Sequence, residues 1–122
     1  MKFICYPKCT TCQKARKWLE ARQMDFEQRD IKEDQPTEEE LRQWIRVSGL
    51  PVRKFFNTSG LKYKELKLKD RLPDMSEDEQ IALLATDGML VKRPILIAGG
   101  EDGQPDRVLV GFKEREWQAA LE

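Results

Sequence analysis

The feature that most constrains the fold is a short apolar segment that leads directly into a pair of cysteines. Residues 2–6 are apolar and aromatic and end at Pro7, which predicts a first β-strand. Cys9 and Cys12 follow, separated by two threonines, and the apolar residues after them recur at helical spacing (Ala15, Trp18, Leu19). The sequence therefore predicts that Cys9 opens a helix and that Cys12 lies one turn further on.

The first helix and the segment after it predict a strand-helix-strand unit. A hydroxyl side chain is a preferred helix cap, so we expect Thr10 or Thr11 to cap this helix. The helical spacing of apolar residues ends near Arg22. Residues 26–30 then predict a second strand, which completes the unit.

Between about residues 35 and 88 the pattern predicts helices only. Two of them begin with capping boxes, in which a Ser or Thr and a Glu three residues later satisfy each other's backbone N–H groups. The capping pairs are Thr37 with Glu40 and Ser76 with Glu79, and the predicted helix stops are Gly49 and Gly88. A turn at residues 57–60 separates two shorter helices. We therefore expect a helical insertion in the middle of the chain.

The last part of the chain predicts two strands and a closing helix. The strands cover residues 93–97 and 108–110, with a turn over residues 99–106 between them, and the helix covers residues 114–121. Strands and helices in this order predict an α/β fold with a helical insertion. The 122 residues are enough for one domain, which we expect to cover residues 1–122.

Charge and hydropathy limit the classes of function. The 22 Lys and Arg residues equal the 22 Asp and Glu residues, so no global basic field favours nucleic acid or an anionic membrane. A basic stretch over residues 53–71 alternates with apolar residues, which is typical of a solvated face beside a core, although it also suits protein docking. No apolar run is long enough to cross a membrane, and the N-terminal run is too short for a signal peptide. We expect a cytoplasmic protein with no direct contact to nucleic acid or membrane.

The chain has three cysteines and no histidine, which narrows the chemistry further. Cys-His dyads, Ser-His-Asp triads and histidine-based metal sites are excluded. Thiols stay reduced in the cytoplasm, so an odd number of cysteines does not suggest a structural disulfide framework. A zinc site needs four ligands and only Cys5 remains beyond the C-x-x-C pair, so we expect no metal. A pair of unreactive buried cysteines is the other alternative, and burial is our expectation for Cys5 itself.

The position of Cys9 favours a nucleophile. Backbone N–H groups at a helix start have no intrahelical partners, and the helix dipole places about +0.5 charge there, so a thiolate at Cys9 is stabilised. Lys8, Lys14 and Arg16 add positive charge nearby. Cys12 has the reach to attack a mixed disulfide at Cys9 and to release the product. We predict that Cys9 and Cys12 are the catalytic pair.

These residues resemble a known family, the arsenate reductase and Spx/MgsR family of thioredoxin-like proteins. The resemblance covers almost the whole chain and is carried by residues 6–15, 55–60, 92–95 and 110–112. It implies a thioredoxin-like, glutaredoxin-like mixed sheet, in which Pro94 follows a cis peptide bond and packs beside the reactive cysteine. It also implies that Cys9 is that cysteine and that Arg93 holds an oxyanion beside it. The anion-binding residues predicted in this way are Arg93, Pro94, Thr10, Thr11 and Asn57.

Two departures from the arsenate reductases bear on the substrate. Asn57 and Gly111 stand where the resemblance places two further arginines, and Cys12 stands where those enzymes commonly have no cysteine. The resemblance implies a thiol-disulfide oxidoreductase that attacks a disulfide or an arsenate-type oxyanion. It implies no bound cofactor, with glutathione as a candidate co-substrate and glutaredoxin as a candidate partner. The alternative that it offers is a redox-sensing regulator that binds the C-terminal domain of the RNA polymerase α subunit.

Overall fold

The computed structural model describes residues 1–99 and 104–122, and a four-stranded mixed sheet lies at its centre. The strands are Lys2–Cys5 (β1), Glu27–Asp30 (β2), Ile95–Gly99 (β3) and Pro105–Val110 (β4), in the spatial order β2-β1-β3-β4. β1 runs parallel to β2 and antiparallel to β3, and β3 runs antiparallel to β4. The α/β mixed sheet is the architecture that the sequence predicts.

Helices cover both faces of this sheet. They are Thr10–Ala21 (α1), Glu38–Ser48 (α2), Leu61–Glu65 (α3), Leu68–Arg71 (α4), Glu77–Leu84 (α5) and Glu114–Leu121 (α6). Short 3-10 turns occur at Val52–Phe55, Leu72–Asp74 and Gly88–Leu90. Residues 31–94, all of them described, contain helices, turns and one isolated bridge but no strand. Among residues 1–99 and 104–122, none of the helices combines the length and apolar character that crossing a membrane requires.

Both predicted capping boxes are confirmed. The Glu40 backbone N–H donates to the Thr37 hydroxyl at 3.2 Å, and the Thr37 N–H donates to the Glu40 carboxylate at 3.0 Å. Ser76 and Glu79 make the same reciprocal pair. Gly49 ends α2 with a φ of 71°, in the left-handed region that glycine adopts without steric cost.

Several predicted boundaries are wrong. Cys9, not Thr10 or Thr11, is the N-cap of α1, and both threonines are helical. Helix α5 ends at Leu84, and Gly88 begins a 3-10 turn instead of stopping the helix. The predicted turn over residues 99–106 is too long, because β3 includes residue 99 and β4 starts at residue 105; residues 100–103 of that prediction lie outside the described residues.

The two faces of the sheet carry separate apolar cores. Along β1, successive side chains point to opposite faces, so Phe3 and Cys5 join one core and Ile4 joins the other. The Phe3 core contains Cys12, Trp18 and Trp117 and lies under α1 and α6. The Ile4 core lies under the helices between β2 and β3. The C-x-x-C motif is thus rooted in the smaller core, on the face formed by the first and last helices. That all 122 residues form one domain stays a prediction.

A short backbone ladder joins the helical segment to the chain that enters β3. The Lys92 N–H donates to the Phe55 carbonyl at 2.7 Å, and the Asn57 N–H donates to the Leu90 carbonyl at 2.8 Å. Phe56 and Val91 form an antiparallel bridge between these two bonds. We call residues 55–57 and 90–92 the ladder. It holds the residues after Phe56 beside the residues before Pro94.

Gly88 is required by a close approach between two backbone segments. A Cβ at this position would overlap the carbonyl oxygen of Ile31 and lie 2.7 Å from its carbonyl carbon. Backbone atoms cannot swing aside as a flexible side chain can, so the chain has to separate at this point if residue 88 gains a side chain.

We predict that Gly88→Ala lowers the free energy of unfolding by at least about 3 kcal/mol, because overpacking against backbone has to move a buried segment. Gly49→Ala is the control for adding a methyl group without a close contact, since the new Cβ has nothing within 4 Å; unlike Gly88, Gly49 has a left-handed φ of 71° that alanine strains. We expect that control to cost about 1 kcal/mol. Urea unfolding measures both, and equal losses in the two variants would contradict the close approach.

Candidate active site

Cys9 lies at the junction of β1 and α1, where a tight turn presents it to solvent. Its N–H donates to the Tyr6 carbonyl at 2.9 Å, and its own carbonyl accepts from the Gln13 N–H at 3.0 Å, which begins the helical bonding. The Gln13 amide nitrogen donates to the Pro7 carbonyl at 3.0 Å and closes the turn from the other side. The Cys9 side chain is half-buried. It is therefore both fixed and accessible, as a nucleophile has to be.

Cys12 lies behind Cys9 and is 2% exposed. The Tyr6 N–H donates to its sulfur at 3.4 Å, and its thiol also interacts with the thiols of Cys5 and Cys9. The contact with Cys5 and the burial together raise the pKa of Cys12 well above its usual range. Cys12 therefore keeps its proton at neutral pH, which makes it a poor first attacker. Its contact with Cys9 nevertheless gives it the reach that the spacing predicts.

Cys5 is buried at 2% exposure, as expected, and its sulfur lies inside the smaller core. The sequence does not show that Cys5 meets Cys12, because the two residues belong to different elements. All three cysteines are free thiols in this structure.

Arg93 reaches the site from the chain that enters β3. Its guanidinium carbon lies 5.2 Å from the centre of the Tyr6 ring, which is a cation–π distance, and one terminal nitrogen donates to the Met89 carbonyl at 3.4 Å. The Nε atom is buried with no hydrogen-bond partner among the described residues. The Arg93–Pro94 peptide bond is cis, as the family resemblance implies. The Gly111 N–H donates to the Pro94 carbonyl at 2.8 Å and holds the start of β3 against the end of β4.

The predicted site residues divide into those that line one cleft and those that lie outside it. The cleft has a volume of about 680 Å³, and Cys9, Thr11, Asn57 and Arg93 all line it. Cys12 and Pro94 are buried beneath its surface. Thr10 is exposed but is not among the residues that line the cleft. The structure therefore brings together four of the seven predicted residues around an open space.

Several cleft residues are absent from the sequence-based list of site residues. Arg53 and Lys54 line the cleft, although the sequence assigns them to a solvated face. Both side chains are exposed, as a solvated face requires. The assignment does not predict, however, that they line the same cleft as Asn57. The apolar part of the lining includes Phe56 and Phe112, which reach the cleft from the ladder and from the end of β4. No local pattern signals these residues, because three distant segments converge to form the cleft.

Comparison with known proteins gives the family of this chain. Residues 5–120 match the family model described as the ArsC family. The chain belongs to the ArsC family. The predicted resemblance to the arsenate reductase and Spx/MgsR family is therefore confirmed.

Individual relatives support the same assignment. The ArsC-family chain is 50% identical over 118 residues to YusI of Bacillus subtilis, covering 97% of this chain and 95% of that protein. It is 32% identical over 97 residues to the regulatory protein MgsR of Bacillus subtilis, covering 80% of this chain and 75% of MgsR.

A crystal structure of an ArsC family related protein from Bacteroides fragilis is also similar. It is 56% identical and superposes with a TM-score of 0.90 over 97% of this chain and 94% of the other. The fold is therefore the thioredoxin-like α/β fold of this family, as the sequence predicts.

We predict that iodoacetamide modifies Cys9 much faster than the other two thiols in the native protein, because Cys5 and Cys12 are each only 2% exposed. The expected difference in initial rate is at least about 100-fold, and unfolding in urea should remove most of it. Mass mapping of the three cysteine peptides at several reaction times measures the rates. Similar rates at Cys9 and Cys12 in the folded protein would contradict the burial.

Proposed function

We propose that this ArsC-family chain is a thiol-disulfide oxidoreductase in which Cys9 attacks and Cys12 resolves. The observation that carries the proposal is the arrangement of the two thiols. Cys9 faces an open cleft at a helix start, and Cys12 is buried in contact with it. A nucleophile that faces the substrate, with a second thiol directly behind, is the arrangement that two-step disulfide exchange needs.

The reaction proceeds in two exchanges with balanced electrons. The Cys9 thiolate attacks one sulfur of a substrate disulfide, a Cys9–substrate bond forms, and the other half leaves as a thiolate that takes up a proton. Cys12 then loses its proton and attacks the Cys9 sulfur, which forms the Cys9–Cys12 disulfide and releases the second half. The substrate gains two electrons, and the chain loses them. Glutathione, directly or through glutaredoxin, is the proposed electron donor that restores the dithiol.

The other predicted residues support this chemistry by position. Arg93, with its unpartnered Nε atom, is the proposed holder of an anionic group beside Cys9. Thr11 and Asn57 add a hydroxyl and an amide to the same cleft. Thr10 and Pro94 complete the proposed set of anion-binding residues. Thr10 is the first residue of α1, and the Pro94 carbonyl accepts a hydrogen bond from the Gly111 N–H. An arsenate-type oxyanion remains a second substrate class in this proposal, with Arg93 as its ligand. The proposal takes the cytoplasm as the compartment and requires no bound cofactor.

We expect Cys9→Ser to reduce the turnover of a glutathione mixed disulfide to the uncatalysed rate, since no other thiol faces the cleft among the described residues. Cys12→Ser should accumulate a mixed disulfide at Cys9, because the first exchange proceeds and the second cannot. Intact mass and peptide mapping identify the adduct, and a coupled assay gives the turnover. Arsenate is assayed in parallel as the alternative substrate.

Cys5→Ala is the matched control for these variants, because it removes a thiol of the same core that no proposed step uses. It should accumulate no adduct at Cys9, because Cys12 is still present to resolve the mixed disulfide. Absence of any trapped adduct in Cys12→Ser, with wild-type reactivity at Cys9, would remove Cys12 from the mechanism.

A second candidate function is a redox-switched binding module. The observation that favours it is the 32% identity to MgsR, a protein named as regulatory. In this case the Cys9–Cys12 disulfide alters a surface that contacts the C-terminal domain of the RNA polymerase α subunit, and no substrate turns over.

A pull-down with that α-subunit domain tests the second function, using the reduced chain, the oxidised chain and Cys12→Ser under oxidising conditions. Regulation predicts binding that changes several-fold between the reduced and oxidised chains and no change in Cys12→Ser, which cannot form the disulfide. Absence of binding in every state would leave the oxidoreductase as the function of the site.

A further inference from the structure

The cleft that holds Cys9 has an excess of positive charge. Its charged lining residues are Arg53, Lys54, Lys92, Arg93, Lys113 and Glu116. The single carboxylate of this set, Glu116, lies 3.9 Å from the ammonium group of Lys113. Within residues 1–99 and 104–122, no carboxylate oxygen lies within 4.0 Å of the other four cations. Four cations around one thiol, without a counterion from the described chain, form a site for an anionic group.

Lys92 is one of these cations, and its backbone is fixed in the structure. Its backbone N–H bond to Phe55 is one of the two hydrogen bonds of the ladder, at 2.7 Å. Its side chain is half-buried, whereas Arg53 and Lys54 are exposed. A charge on a half-buried side chain is less screened by water and salt than a charge on an exposed one.

Gly111 provides the space in which the Lys92 side chain lies. A Cβ at residue 111 would stand 3.3 Å from the Lys92 Cε, which is tighter than an ordinary van der Waals contact. Gly111 is itself held by its 2.8 Å bond to Pro94 and has a φ of 74°, which disfavours any other residue. The backbone on both sides of this contact is therefore fixed. The Lys92 side chain therefore lies beside the Gly111 backbone, where the cleft wall has no side chain of its own.

We propose that Lys92 selects the substrates of Cys9 by binding a carboxylate, and that the disulfides this site prefers carry a carboxylate beside the sulfur. The preference for disulfides rests on the proposed function, whereas the binding of an anion at Lys92 does not. An ammonium group offers three donors in no fixed plane, which suits a carboxylate on a flexible arm better than a rigid bidentate partner. Arg93 remains available for the group that reacts at Cys9.

Iodoacetate and iodoacetamide test the anion preference directly. Both alkylate a thiolate by forming an S–C bond and releasing iodide, and they differ in the carboxylate. The ratio of the iodoacetate rate to the iodoacetamide rate at Cys9 does not depend on the amount of thiolate, because both reagents react with the same thiolate. Dividing this ratio by the same ratio for 2-mercaptoethanol removes the intrinsic difference in reactivity between the two reagents. We expect a normalised ratio of about three to ten for the wild type, from the attraction between opposite charges in a half-buried site.

Three variants test whether Lys92 causes this preference for iodoacetate. Lys92→Gln should bring the normalised ratio to about one, and Lys92→Arg should keep most of it because the charge is retained. Lys17→Gln is the matched control, because it removes one positive charge from an exposed position on α1 that does not line the cleft. It should leave the ratio unchanged. Raising the salt concentration to about 0.5 M should lower the wild-type ratio without any mutation. An unchanged ratio in Lys92→Gln would overturn the proposal, and a salt effect without an effect of Lys92→Gln would assign the preference to the other cations of the cleft.

A pair of disulfides separates this inference from the proposed function. Dithiodiglycolate carries two carboxylates, and hydroxyethyl disulfide is its neutral counterpart. Faster exchange with dithiodiglycolate, lost in Lys92→Gln, is the expected result. If Cys9 exchanges with neither disulfide but still prefers iodoacetate, the anion site stands and the proposed oxidoreductase fails. If Cys9 exchanges with both equally, in wild type and variant alike, the oxidoreductase stands and the role of Lys92 fails.

Discussion

The candidate site depends on a backbone connection that lies outside the main sheet. The ladder between residues 55–57 and 90–92 consists of two hydrogen bonds around one bridge, and it holds the helical segment against the chain that enters β3. Asn57 is the last residue of the ladder on one side, and Arg93 follows it directly on the other. The side chains of Phe56 and Val91 are buried in the Ile4 core, so the ladder and this packing together fix the separation of the two walls of the cleft. The cations that line the cleft are thus positioned in part by backbone bonds, which persist when a side chain is replaced by that of any residue other than proline.

The features that the sequence predicts correctly are those with short-range causes. The capping pairs Thr37 with Glu40 and Ser76 with Glu79 act over three residues, and α1 follows from the apolar spacing after Cys12. The position of Cys9 at a helix start also follows from adjacent residues. The family resemblance adds the thioredoxin-like fold, the cis bond before Pro94 and the proximity of Arg93 to the cleft.

The features that the sequence misses arise where distant segments meet. Gly88 has the local signature of a helix stop, but its backbone is needed for the approach to Ile31, which follows β2. Cys5 gives no sign that it meets Cys12 across two elements. Lys92 and Arg93 lie between two apolar runs of the sequence, and only the bare backbone of Gly111 shows where the Lys92 side chain lies. In each case the deciding contact joins residues that no helical or strand period relates.

In the proposed two-step exchange, the burial of Cys12 behind Cys9 determines how long a molecule joined to Cys9 stays attached. Because the two thiols are in contact, the second exchange is unimolecular, and its rate does not depend on the concentration of free thiols around the protein. In that exchange Cys12 has to lose a proton that its burial and its contact with Cys5 help to retain, because both raise its pKa. The residence time of such an adduct is therefore a property of the protein interior, and it shortens as the surroundings become more alkaline.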